Sequence, residues 1–263
     1  MKKLFASLIS IILITCSAFA LSACNETPPP AELSNEELST AYKQVALSAW
    51  DSIGVDDPTA TSAPALLYFP DNRVEIDITL PENATAKKNI LINANSMAGF
   101  MYMLSLLYEC DGFETTNGLS KFDATITMGS TQSTQSIIIS SSLNKDTGTI
   151  FVELIVNSNG SPQYCLVDVN YDFNTNALKS YRFISNTFDP QMGNMVIDMG
   201  LTEQGEYKWY QPVDNSDPFI ETIRNRENSL NVRAQTVSKL TGDFSDAYQT
   251  YFTILQKVMM ELL

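Results

Sequence analysis

Between Asn89 and Tyr108 the chain runs for 20 residues without a charge. Leu91, Ala94, Met97, Met101, Leu104 and Tyr108 fall on one face of a helix; Phe100, Met103, Leu106 and Leu107 fall on others. A helix that is apolar all round must be covered on every side. It is either the centre of a large core or a membrane span. Asn93, Asn95 and Ser96 favour the core, because an unsatisfied amide in hydrocarbon costs several kcal/mol. The rest of the chain therefore has to supply a covering for this helix.

The following segment is suited to that task. Phe122, Ala124, Ile126 and Met128 alternate with polar residues, the period of a strand with one buried face. Gln135–Leu143 carries three consecutive isoleucines in a serine-rich frame, and Thr149–Asn157 is apolar on both faces. Gln163–Phe173 and Leu178–Ser185 follow. Short polar turns at Asn144–Gly148, Asn157–Gly160 and Asn174–Asn176 join these runs, which predicts an antiparallel meander. Met195–Met199 and Glu206–Tyr210 extend it to as many as seven strands, hinged at Gly200 and Gly205. Upstream, Val74–Leu80 also alternates and reads as a strand.

Helices flank this region. Ser34 and Glu37 form a capping box, with Leu33 and Leu38 as its hydrophobic staple. Leu38, Tyr42, Val45, Ala49 and Ile53 then make an apolar stripe, ended by Gly54. Asp217-Pro218 opens a later helix striped by Ile220, Ile223, Leu230, Ala234 and Val237. Asp243 caps a last one, striped by Phe244, Ala247, Tyr248, Tyr251, Leu255, Val258 and Leu262. Segregated helices and strands predict an α+β domain: a meander of five to seven strands on a central apolar helix, with N-terminal and C-terminal helices. In element order this is similar to the cystatin and NTF2-like plans.

The first 24 residues have a different character. Lys2-Lys3 precede an apolar run from Leu4 to Ala20, then Leu21-Ser22-Ala23-Cys24. A basic start, an apolar middle and small residues before a cut make a secretory signal. The run is shorter than the ~20 residues a membrane span needs. The tetrapeptide resembles the bacterial lipoprotein lipobox. That resemblance implies cleavage before Cys24, a diacylglyceryl group on its sulfur, and an extracytoplasmic address on the cell membrane. In a host with two membranes it implies the outer one, since Asn25 is not the aspartate associated with inner-membrane retention. Two acyl chains anchor stably where one binds only marginally. The expected organisation is a signal peptide at 1–23, a lipidated and proline-rich spacer at 24–31, and one α+β domain at 32–263.

Charge and composition exclude several chemistries. The chain carries −14, and cleavage removes two lysines, leaving −16. Such a surface repels phosphate backbones and anionic headgroups, so no nucleic-acid partner is expected. There is no histidine. Ser-His-Asp and Cys-His catalysis in their usual forms are excluded, as are imidazole-based zinc sites. No phosphate-binding glycine loop is present. No cofactor and no metal are expected.

Few residues remain as site candidates. Cys110 and Cys165 could pair in an exported protein, or could be two separate buried thiols. Asp168, Asn170, Asp172, Asn174 and Asn176 alternate as calcium-loop oxygens do. Phe173 and Lys179 stand where such a loop needs glycine and glutamate, and Asn and Asp belong in turns anyway. Glu227 falls within an apolar stripe, where burial would raise its pKa unless Arg224 or Arg226 pairs with it. Tyr164, Tyr171, Tyr181, Tyr207 and Trp209 could line a ligand pocket or simply pack. The expectation is a non-catalytic lipoprotein that binds a small or apolar ligand, or senses, at the cell envelope. The alternatives are an interaction partner in an envelope complex and a carboxylate-dependent glycan or wall hydrolase.

Overall fold

The structure, a computed structural model, describes residues 33–52, 84–158, 161–189, 193–210 and 218–262. The strand expected at Val74–Leu80, the signal segment and the spacer lie outside the described residues. Helix α1 is Asn35–Ser52 and α2 is Ala84–Glu109. Seven strands follow: β1 Leu119–Met128, β2 Thr131–Asn144, β3 Thr149–Ser158, β4 Ser161–Asp172, β5 Ala177–Asp189, β6 Gly193–Leu201 and β7 Tyr207–Tyr210. Helices α3, Pro218–Ala234, and α4, Ser245–Leu262, complete the unit that spans Asn35–Leu263. The strands form one antiparallel meander in sequence order. No helix among the described residues is long and apolar enough to cross a membrane.

Helix α2 begins five residues before the uncharged run, and Met97, Phe100, Met101, Met103, Leu104 and Leu107 are fully buried in it. Its amide Asn95 is buried too, and accepts a 3.1 Å hydrogen bond from the Trp50 indole of α1. Helix α1 runs antiparallel to α2. Trp50 meets Tyr102 edge-on at 5.6 Å, Tyr42 stacks on Tyr108 at 5.6 Å, and the Ser39 hydroxyl donates to Glu109 at 2.8 Å. Helix α4 approaches α2 at Gly99, where a Cβ would come within 3.1 Å of Ile254.

The three helices α1, α2 and α4 cover one face of the sheet, called here the inner face. Phe122, Ile137, Val152, Val167, Tyr181 and Phe183 pack against them in one continuous core. Helix α3 lies on the opposite, outer face. Ile220, Ile223, Leu230 and Ala234 meet Ile138, Ile155, Tyr164, Leu166 and Ile184 there. The middle strands are therefore sandwiched, which is why β3 reads as apolar on both faces. The stripe predicted to continue to Val237 leaves the helix at Ala234, where i→i+3 bonds at Gln235, Thr236 and Val237 tighten the last turn.

The β1 edge is closed by α4 and the segment before it. Leu240 donates to the Lys121 carbonyl at 2.7 Å. The Thr125 amide donates to Ser245 Oγ at 3.0 Å, and the Thr127 amide to Gln249 Oε1 at 2.7 Å. An edge so satisfied is no template for another strand.

Candidate functional site

The outer face is divided. Helix α3 covers part of it, and beside the helix β4, β5 and β6 leave an open cleft of about 300 Å³. Strand alternation sets the lining. Asp168 and Asn170 of β4 stand opposite Arg182 and Ser180 of β5. Gly200 of β6 stands opposite Arg182 and forms the floor. A Cβ at Gly200 would sit 2.1 Å from the Tyr181 carbonyl oxygen, so the floor is bare backbone. Thr202 and Glu203 of the β6–β7 turn and Lys208 of β7 make the wall.

One ion pair organises the cleft. Asp198 is almost fully buried, and Arg182 donates to both its oxygens, Nε at 2.9 Å and Nη2 at 2.6 Å. This two-pronged geometry is the strongest that an arginine and a carboxylate make. The guanidinium itself is half-exposed, which presents a fixed plane to the cleft. Glu203 is exposed and accepts a 3.4 Å bond from the Asn170 amide. Lys208 lies 3.7 Å from Glu206 at the rim.

A second polar cluster lies under α3. The Glu153 carboxylate is buried; it accepts the Tyr164 hydroxyl at 2.7 Å and has Arg233 at 3.4 Å and Arg226 at 3.8 Å. Arg233 also donates to Ser140 Oγ at 2.7 Å, and Arg226 lies over the Phe151 ring at 5.6 Å. Burial, then the neighbouring Glu153, raises the Tyr164 pKa, so the phenol stays protonated and donates. This cluster fastens α3 to the sheet.

The aromatic residues expected to line one pocket are split between faces. Tyr164 is on the outer face beneath α3, whereas Tyr171 and Tyr181 are in the inner core and Tyr207 packs against it. Trp209 lies in β7 opposite Met199. The reason is parity: Tyr164 is an odd number of residues from Tyr171, so the two cannot share a face. The inner three do gather near the end of α1. The Tyr171 hydroxyl bonds Ser48 at 2.9 Å, and those of Tyr181 and Tyr207 are buried with no close hydrogen bond among the described residues. Ser52 faces Tyr207 but donates to the Ala49 carbonyl at 2.7 Å. Burial raises the pKa of all three, so they remain neutral phenols.

The disulfide considered for Cys110 and Cys165 is not formed; both are free thiols. Cys110 Sγ turns back to the Leu106 carbonyl at 3.3 Å, and Cys165 Sγ faces Ser185 Oγ at 3.5 Å. Burial pushes the Cys165 thiol up to about 11 and raises that of Cys110, so neither is an activated nucleophile. The calcium-like spacing is also divided. Asp168 and Asn170 face the cleft, while Asp172 accepts the Asn174 and Thr175 amides in the β4–β5 turn. Asn176 there adopts a φ of 54°. Glu227 is half-buried in α3; burial raises its pKa and Arg224 draws it back. No group of three metal-ligating side chains occurs among the described residues.

Sequence reasoning missed Arg182, Asp198, Glu203 and Glu153. A signal was present for two of them: Glu153 and Asp198 are each the single charge in their strand, whereas Arg182 shares β5 with Lys179 and Asp189. No protein-family model matches the chain, and neither a curated protein nor a solved structure does.

Proposed function

We propose that this chain is a lipid-anchored, extracytoplasmic binding protein that holds a small polar ligand in the outer cleft and does not catalyse. The observation that carries the reading is the cleft itself: a concavity organised by the ion pair of half-exposed Arg182 with buried Asp198. Its volume is at the small end of the range for ligand sites, ~300–1,000 Å³. On the inner face the side chains of α1, α2 and α4 pack into one continuous core. The absence of histidine and the raised thiol pKa values support binding over catalysis. The lipobox-like Leu21–Cys24 supports the anchor. Among the residues whose side chains are described, the exposed large apolar ones are Leu47 and Val232.

Two variants test the reading. Wild-type protein is expected in the detergent phase on phase partition and labelled by palmitate; Cys24→Ala is expected in the aqueous phase and unlabelled. Saturation-transfer NMR with polar small molecules extracted from the host envelope is expected to detect binding that Ser180→Trp, which fills the cleft, removes. Wild type in the aqueous phase overturns the anchor. Binding unaffected by Ser180→Trp overturns the cleft.

A further inference from the structure

We infer that helix α3 is a strap that lifts as a separate unit, baring an apolar strip of the outer face while the inner core stays closed. The two faces of the sheet are covered by different means. On the inner face α2 alone buries Met97, Phe100, Met101, Met103, Leu104 and Leu107 completely. Among the side chains described in α3, the buried ones are Ile220, Ile223, Leu230 and Ala234. This stripe is interrupted in its middle turn, where exposed Arg226 and half-buried Glu227 stand between Ile223 and Leu230. Burial of apolar surface is the main favourable term in docking a helix, so α3 is held less firmly than α2.

The space beneath α3 is charged as well as apolar. Glu153, the one charge in β3, is buried there with Arg233 at 3.4 Å and Arg226 at 3.8 Å, both half-exposed. The Tyr164 hydroxyl of β4 donates to the same carboxylate, and Arg233 donates to Ser140 of β2. The cost of taking such a group out of water offsets most of the attraction within it. The cluster therefore fixes where α3 sits but adds little to the free energy that keeps it there. Lifting α3 returns all three charges to water, so the opened state loses little from the cluster. Elements held in this way open below the global unfolding limit.

The segment after α3 has its own attachment and serves as the hinge. Leu240 donates to the Lys121 carbonyl at 2.7 Å, and Lys239 pairs with Asp123, both on β1. The strip beneath α3 comprises Ile138, Ile155, Tyr164, Leu166 and Ile184. It begins where the cleft ends, since Phe151, under Arg226, stands directly opposite Asp168. An open α3 makes cleft and strip one surface.

Cysteine probes at two neighbouring residues of β3 test this in the full lipidated protein in detergent micelles. Ile155 faces α3 and Leu154 faces the inner core, and both are almost fully buried. Ile155→Cys and Leu154→Cys are made separately and labelled with a water-soluble maleimide. Peptide mass spectrometry separates each probe from Cys110 and Cys165. Global unfolding exposes both positions, whereas lifting of α3 exposes position 155 alone. The Ile155→Cys probe is expected to react at least about 100-fold faster than that variant's own global unfolding equilibrium allows. Its rate is expected to change little in low urea, because little surface is exposed on opening. The Leu154→Cys probe is expected to follow global unfolding in rate and urea slope. Ile137→Val, which trims the inner core, is expected to speed the Leu154→Cys probe about fivefold and leave the Ile155→Cys probe unchanged. If both probes react at one rate with one urea slope, or Ile137→Val speeds both alike, α3 leaves only when the whole domain unfolds, and the strap is overturned.

Discussion

Asn95 shows how one polar side chain can decide between two environments for the same helix. Its position in an uncharged run argues against lipid, and the structure gives it the Trp50 indole as partner at 3.1 Å. The bond ties α1 to α2 in the middle of the core, where an unmet donor bears the full cost of desolvation. Asn95→Leu keeps the volume and leaves the indole N–H without its acceptor. Chemical denaturation is expected to show a loss of about 1–3 kcal/mol. The pairing was not legible in the sequence, because it joins residues 45 apart. That the amide needed some partner was legible. Asp198 and Glu153 follow the same logic: each is conspicuous in its strand, but which guanidinium it meets depends on the sheet's register and on where α3 lands.

The elements were the most legible level, because each is written in local periodicity. The alternation of β1, the turns of the meander and the start of α1 directly after Ser34 all coincide with the structure. What local pattern did not convey was layering. The apolar character of β3 on both faces was visible, yet not that α3 would cover the outer face and leave a cleft beside it. The pocket aromatics failed for that reason: they were grouped by proximity in sequence, and strand parity separates them. The cap of α4 was read correctly. Asp243 accepts the Ser245 amide at 3.0 Å, and hydrogen bonds from the Ser245 side chain and backbone hold its pKa below the ordinary 3.8. A carboxyl with a lowered folded pKa stabilises fully above its unfolded pKa and loses that contribution as pH falls through the folded value. Acid titration followed by NMR is therefore expected to show Asp243 protonating below 3.8, with the first turn of α4 loosening as it does. Asp243→Asn, which keeps a cap, is expected to remove that pH dependence.

For the whole molecule, the account is a division of labour between two faces of one sheet. The inner face is spent on stability: its aromatic contacts, such as Phe113 with Phe122 and Phe244 at 5.9 and 5.5 Å, fill the space under α1, α2 and α4. The outer face is half covered by α3, fastened through Glu153, and half open as the cleft. The proposed binding surface is on the side of the sheet that carries the fewest helices. The most direct test is backbone amide NMR on the protein titrated with polar small molecules from the host envelope. The account predicts shift changes concentrated at Asn170, Ser180, Gly200 and Lys208. Changes concentrated instead at Ser48, Trp50 and Tyr102 would put the ligand on the inner face and contradict it.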